Sequence, residues 1–181
     1  MISEVAARYG YGLYQLAKEE DTVAEKCSQC ECLLTALEES DDLLIFLRAV
    51  KITAEEKKEY LESTFKDVFD KDMINFLKLL VDKDRTYYLK EILRMYIELA
   101  DDELGIQKAI VQSAKPLSEA DMQEIKTALE KNTGKTIVLQ NIVKPELIAG
   151  IKVIVGNTVT DNTFKNKMET LKQVLLKGGR A

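Results

Sequence analysis

The sequence predicts an α+β chain: a six-helix bundle over residues 1–105, followed by a small α/β domain over residues 106–181. The first observation behind this is a change of period at Gly105. Before it, the run Met73–Val81 is apolar on nearly every side, and Tyr88, Ile92, Met95 or Tyr96, and Leu99 repeat at helical spacing. After it, Ile137, Leu139 and Ile142-Val143, then Ile151, Val153 and Val155, alternate with polar residues as strands do. The second observation is charge: residues 1–104 carry 14 Lys and Arg against 24 Asp and Glu, whereas residues 105–181 carry 12 against 7. An acidic half at −10 and a basic half at +5 prefer oppositely charged partners, or contact each other. The third is that 181 residues with 46% hydrophobic content suffice for a packed core without disulfide or metal staples.

The first half reads as about six helices. Helix one runs from about Ser3 to Lys18. Thr22 followed by Glu25 predicts a capping box for helix two, in which hydroxyl and carboxylate each satisfy a free backbone N–H. Ser40 is expected to open a short third helix that buries Leu43, Phe46, Leu47 and Val50. Thr53 with Glu56 predicts a second box, for a helix burying Leu61, Phe65 and Val68. Asp72 is the expected N-cap of helix five, whose all-round apolarity implies that it is surrounded by its own bundle or by something docked from outside. The sixth runs from about Arg85 to Leu104 and stops at Gly105, where glycine can take the left-handed conformation.

The second half predicts a strand at Lys108–Ser113, a helix from Glu119 to Asn132 capped by Ser118 and ended by Gly134, and strands around Thr136–Val143, Ile151–Val155 and Thr158–Thr160. A last helix presents Phe164, Met168, Leu171 and Val174 or Leu175 on one face, with Lys165, Lys167, Lys172 and Lys177 elsewhere. That basic stripe reads equally as a solvated face, a nucleic-acid contact, or the complement of an acidic helix. Phe164 alone supplies an aromatic there, which supports base stacking poorly.

Little in the chain is built for covalent chemistry. The absence of histidine removes the commonest general base and the common catalytic triads. Gly10-Tyr11-Gly12 lies inside a helical pattern with no strand before it, so it is not a dinucleotide loop. Carboxylate pairs such as Asp41-Asp42 and Asp101-Asp102 sit at helix starts or on charged surfaces. Cys27, Cys30 and Cys32 cluster, but zinc lacks a fourth ligand, and Val23, Cys27, Cys30, Leu34 and Leu37 step as one buried helical stripe that leaves Cys32 outside it. No cofactor or metal is expected. With no apolar run of about eighteen residues and no signal-peptide pattern at Met1-Ile2-Ser3-Glu4, the chain is expected to be soluble and to stay where it is made.

Helix one has more apolar surface than one core contact can use. Ile2, Val5, Tyr9, Leu13 and Leu16 form one stripe, and Ala7, Gly10, Tyr11 and Tyr14 a second face of small and aromatic residues suited to a docked helix. The plainer reading, that both faces are buried inside the bundle, has equal weight on pattern alone. A nucleic-acid-binding adaptor working through the basic half is the alternative from a different class, and a small carboxylate or lysine enzyme comes third.

Four stretches stand out together: Ala7-Arg8-Tyr9-Gly10 with Leu13 and Leu16-Ala17; Asn75-Phe76-Leu77 through Val81 with Arg85; Ser113–Ser118; and Ala149-Gly150-Ile151 followed by Thr160-Asp161-Asn162-Thr163. Taken in this order they resemble the delta subunit of bacterial and chloroplast F-type ATP synthase, equivalent to the mitochondrial oligomycin-sensitivity-conferring protein. The first is similar to the family's opening helix, and the second to its Asn-Phe-Leu helix and following Gly-Arg turn, with Asp84 in place of the glycine. The third resembles its strand-to-helix passage, and the last pair its Gly-Gly-(Ile/Val) and Ile-Asp-Gly-Ser elements.

The resemblance implies a non-catalytic stator subunit of the peripheral stalk. In it, a groove along helices one and five would receive the N-terminal helix of an alpha subunit, with Tyr9, Gly12, Phe76 and Leu79 as groove residues. The C-terminal domain would hold the C-terminal region of the b subunit. On that reading no nucleic acid is bound, and the protein sits at the cytoplasmic face of the membrane only through its complex.

Overall fold

The computed structural model describes residues 3–156, 158–163, 166 and 168. The chain divides into two compact units, Met1–Leu104 and Gly105–Ala181. The first contains α1 (Glu4–Glu19), α2 (Val23–Glu39), α3 (Asp42–Arg48), α4 (Ala54–Phe65), α5 (Lys71–Asp82), a 3-10 turn (Thr86–Tyr88) and α6 (Leu89–Glu103). The second contains β1 (Ile106–Ser113), α7 (Glu119–Thr133), β2 (Thr136–Val143), a 3-10 turn (Pro145–Leu147), β3 (Ile151–Val155) and β4 (Thr158–Asp161).

In the helical unit α6 is the central element. It buries Leu89, Ile92, Leu93, Tyr96, Ile97 and Ala100, and both α1 and α2 pack on it, while α4 packs on α5. Tyr96 is fully buried, and its hydroxyl donates to the Val23 carbonyl at 3.1 Å. The ring thus contributes roughly 2–3 kcal/mol of burial without leaving its polar end unsatisfied.

Local start signals hold where nothing distant competes for them. Ser3 caps α1 by accepting from the Ala6 N–H, and the Thr53–Glu56 box on α4 is complete. Three expectations are corrected. Thr22 makes no cap bond to α2; its hydroxyl donates to the Ala17 carbonyl and accepts from the Lys26 ammonium instead. Asp41, not Ser40, precedes α3, with Ser40 Oγ accepting from the Asp42 N–H. Asp70, not Asp72, caps α5, accepting from the Met73 N–H at 2.7 Å.

The core positions shift accordingly. Leu44 and Leu47 are the buried pair of α3, and Val50, beyond the end of that helix, is 98% exposed. After α4, Phe69 takes the buried place expected for Val68 and stacks on Phe65 with ring centroids 5.0 Å apart. Cys27 and Cys30 are buried and Cys32 is exposed, as the α2 stripe predicts. The residues expected to start the sixth helix form the 3-10 turn.

In the α/β unit the sheet order is β2-β1-β3-β4, with β1 and β2 parallel and the other pairs antiparallel. A parallel pair needs a crossover, and α7 supplies it. Ser118 and Asp121 form a complete capping box at its start, and Gly134, left-handed at φ +69°, ends it. The register puts Ala109, Val111 and Ser113 of β1 on the same face as Ile137 of β2, and these four are buried. Most of the expected last helix lies outside the described residues; Asn166 and Met168 are helical.

Candidate docking site

Helix α1 presents two faces with different fates. Ala6, Gly10, Leu13, Tyr14 and Ala17 turn into the core. Gly10 permits the close crossing on α6, because a Cβ there would stand 2.9 Å from both Cβ and Cγ of Met95 and 3.2 Å from the Ile92 carbonyl oxygen. Gly10, expected to accept a foreign helix, therefore accepts α6. Of that expected second face, Gly10 and Tyr14 are core, Ala7 is half-buried and only Tyr11 is exposed. Spacing alone carries the signal: Ala6, Gly10 and Ala17 lie on one side of the helix, although the two expected stripes divide its residues differently.

The other side of α1 carries Val5, Tyr9, Gly12 and Leu16 at intervals of four, three and four. Val5 and Tyr9 are half-buried, and Leu16 is 37% exposed. Gly12 is exposed, and a Cβ added to it would meet nothing within 4 Å.

Helix α5 shows the same division. Met73, Ile74, Leu77, Leu80 and Val81 are buried. Phe76 is half-buried against the core and Leu79 is 42% exposed. The helix that reads as apolar all round is thus covered on one side, with Phe76 and Leu79 on the remainder. The structure puts Tyr9 with Gly12 on one helix face and Phe76 with Leu79 on another.

Both helices are held at their ends by polar contacts. The Tyr14 hydroxyl donates to Glu103 Oε2 at 2.9 Å and the Lys18 ammonium to Glu103 Oε1 at 2.8 Å, which ties the end of α6 to α1. The Lys18 hydrogen bond, then that of Tyr14, holds the Glu103 carboxyl below its ordinary range. Helix α5 ends in a turn in which Asp84 is left-handed at φ +52°, with the Asp84 N–H donating to Val81 and the Arg85 N–H to Leu80. Aspartate thus takes the conformation expected of glycine at that position, which its short polar side chain tolerates.

At the start of α5 lies a group that the sequence pattern does not announce. Lys26 is 1% exposed, and its ammonium donates to Glu20, Thr22, Asp70 and Asp72 at 3.1–3.4 Å. No periodic pattern marks a lysine that folds inward; its four polar partners come from the turn just before α2 and from the distant start of α5.

In the α/β unit the segments Ala149–Ile151 and Thr160–Thr163 meet. Gly150, left-handed at φ +86°, packs against Asn162 and Thr163. Asp161 Oδ1 accepts from the Thr163 hydroxyl at 2.7 Å and from its N–H at 3.1 Å, and these bonds, in that order, hold the Asp161 carboxyl below its ordinary range. Thr163 Oγ1 in turn accepts from the Asn166 N–H at 3.2 Å, the capping contact that opens the last helix. A cleft of about 470 Å³ lies between α7 and β2, lined by Leu117, Met122, Lys126, Ile137, Val138 and Leu139 among others.

Among the described residues one group brings possible metal donors together: Cys27, Glu31 and Asp101, within 4.8 Å of one another. One thiol with two carboxylates matches neither the thiolate and imidazole sets of zinc nor the oxygen cages of calcium. Burial, then the neighbouring Cys27, pushes the Cys30 thiol up, away from nucleophilic chemistry. The nucleic-acid alternative gains no support: Lys165, Lys167, Lys172 and Lys177 lie outside the described residues, and Lys152 is paired with Asp161 at 3.9 Å.

A family model described as ATP synthase delta (OSCP) subunit matches residues 5–175. ATP synthase subunit delta of Alkaliphilus oremlandii is 33% identical, covering 98% of this chain and 98% of its own length. That of Syntrophomonas wolfei is 34% identical over 94% of each, and that of Clostridioides difficile 31% over 97% of each. A chain in the solved mitochondrial ATP synthase hexamer of Toxoplasma gondii shares the fold, with a TM-score of 0.77 at 19% identity over 96% of this chain and 98% of that one.

Proposed function

Because the chain belongs to the ATP synthase delta (OSCP) family, a structural and non-catalytic part of the peripheral stalk, we propose that its helical unit receives an apolar helix of the catalytic head while its α/β unit holds the stalk. Residues 1–105 act as one six-helix bundle in this reading, and residues 106–181 as a separate gripping domain. The guest is the N-terminal helix of an alpha subunit, lying along α1 and α5 against Tyr9, Gly12, Phe76 and Leu79. The C-terminal region of the b subunit engages the second unit. The protein then stands at the cytoplasmic face of the membrane through its complex, since no helix among the described residues is long and apolar enough to cross it.

The observation that carries this reading is the apolar remainder of α1 and α5. Leu16 and Leu79 stay exposed and Gly12 leaves open space, although both helices already bury a full core face. An amphipathic helix in a groove is a common recognition mode, in which few anchors dominate and surrounding contacts exclude water. A coupling that holds under rotary load needs slow dissociation; a nanomolar complex corresponds to about −12 kcal/mol. Burying what remains accessible of Leu16 and Leu79, 37% and 42% exposed, gives only about 1–2 kcal/mol, so the whole face of both helices is needed.

The stator role follows from mechanics. The rotor can drive nucleotide chemistry only if the head is kept from turning with it, and a subunit bound to head and stalk at once supplies that restraint without any reactive group.

The test is reconstitution. ATP synthase stripped of this subunit is reloaded with wild-type protein or with Leu79→Asp, and ATP-driven proton pumping is measured beside ATP hydrolysis. Wild type restores pumping, the variant fails to, and hydrolysis persists in both. Equal restoration of pumping by Leu79→Asp contradicts the assignment of this face.

A further inference from the structure

The apolar contacts of α5 with the core hold it in place but do not fix its register, because hydrophobic burial is non-directional. Direction comes from its first turn. Asp70 caps the helix through Oδ1, and its Oδ2 accepts from Lys26 at 3.3 Å and from Gln29 Nε2 at 3.2 Å. The Asp70 N–H donates back to Gln29 Oε1 at 3.3 Å, so Gln29 and Asp70 clasp each other twice. Lys26 also reaches Asp72 at 3.4 Å, two residues further into the helix, and Glu20 at 3.1 Å at the end of α1. Burial alone would push the Lys26 ammonium down, but the Glu20 hydrogen bond and the Asp70 charge hold it above its ordinary value.

From these contacts we propose that Lys26, seconded by Gln29, is a positioning residue for docking: it pins the first turn of α5 to α2 and so sets the register at which Phe76 and Leu79 meet the guest helix. Phe76 follows Asp70 by six residues, about 9 Å of helix, so a rotation or slip of the first turn is carried to the docking face undiminished. A buried lysine shared by three carboxylates is costly as a stabiliser and best explained by the uniqueness it imposes, since a methionine of similar length would fill the space without choosing a register. The idea rests on the reading of α5 as a docking helix.

Two measurements on the full chain separate this inference from that reading. The first is amide hydrogen exchange in the free protein, which needs no ligand. Lys26→Met should speed exchange at the Met73 and Ile74 amides by roughly tenfold or more, while α6 amides keep their protection and helical circular dichroism is unchanged. Unchanged exchange in the first turn of α5 overturns the proposal. The second is titration with a synthetic peptide copying the alpha-subunit N-terminal helix. Wild type binds, Lys26→Met binds roughly tenfold or more weakly, and Lys26→Arg, which keeps the charge, recovers most of the affinity. Wild-type affinity in Lys26→Met overturns the proposal; a wild type that does not bind removes the docking reading itself, and with it this role for Lys26. Should Lys26→Met fail to fold, Gln29→Ala, which opens the same clasp from a half-buried position, is read in both assays in its place.

Discussion

Gly150 lies so close to Asn162 that a Cβ on it would stand 2.4 Å from the Asn162 carbonyl oxygen and 2.9 Å from Cα of Thr163. Two short elements, well separated in the chain, are therefore the two sides of one contact. The contact sets where β4 ends and where Thr163 caps the helix that follows. Gly150→Ala would meet both that backbone and a left-handed φ of +86°. It is expected to destabilise the α/β unit by about 2–3 kcal/mol, read as a lower urea midpoint for that unit.

Two glycines on α1 should respond in opposite directions. Gly10→Ala forces Cβ against Met95 and should cost about 1–3 kcal/mol. Gly12→Ala meets nothing within 4 Å and should stabilise by roughly 0.5–1 kcal/mol through helix propensity. Thermal denaturation of the pair checks both signs. Gly12→Leu should leave folding intact yet obstruct docking, since its side chain fills space left for a guest.

Ile148 is a β-branched residue at φ +65° and ψ −57°, with the Ala149 N–H donating to the Leu147 carbonyl at 2.7 Å. This is the strained hand of the γ-turn. Because Ile148 is 67% exposed, little burial is lost on replacing it. Ile148→Gly should raise stability by about 1 kcal/mol in chemical denaturation.

The Lys26 node predicts a stability plateau with two edges. The Asp70 carboxyl is held below its ordinary 3.8: burial opposes this, but the Met73 N–H and the Lys26 charge outweigh it. Its contribution is therefore full above about pH 3.8 and lost as pH falls through the lower folded-state value. The Lys26 ammonium, held above 10.5, contributes fully below that value and is lost as pH rises through the higher folded-state one. Urea midpoints measured across this range should fall at both ends in wild type, and the alkaline fall should be shallower in Lys26→Met.

What the sequence discloses is mostly what neighbours in the chain decide among themselves. The box at Thr53–Glu56 and the Ser118 cap close within four residues, so their pattern suffices; that Asp121 completes a box with Ser118 is added by the structure. Thr22 carries the same pattern and makes no box, because Lys26 competes for its hydroxyl. Asp70 prevails over Asp72 as the cap of α5 because Gln29, 41 residues earlier, clasps it. Gly10 reads as a docking residue until Met95 is placed opposite it. The candidate site is harder still: periodicity shows that α1 and α5 are apolar on several sides, but not which side the molecule covers for itself. Tyr9, Gly12, Phe76 and Leu79 stand out through resemblance to a family, and the structure adds that each retains exposed or half-exposed surface.

The most direct measurement is calorimetric titration of the alpha-subunit N-terminal peptide into the full chain, wild type and Leu79→Asp. Wild type should bind with nanomolar-order affinity, and the variant at least roughly a hundredfold more weakly with helical circular dichroism unchanged. Absence of wild-type binding at micromolar peptide, or equal affinity in the two proteins, would rule out docking on this face.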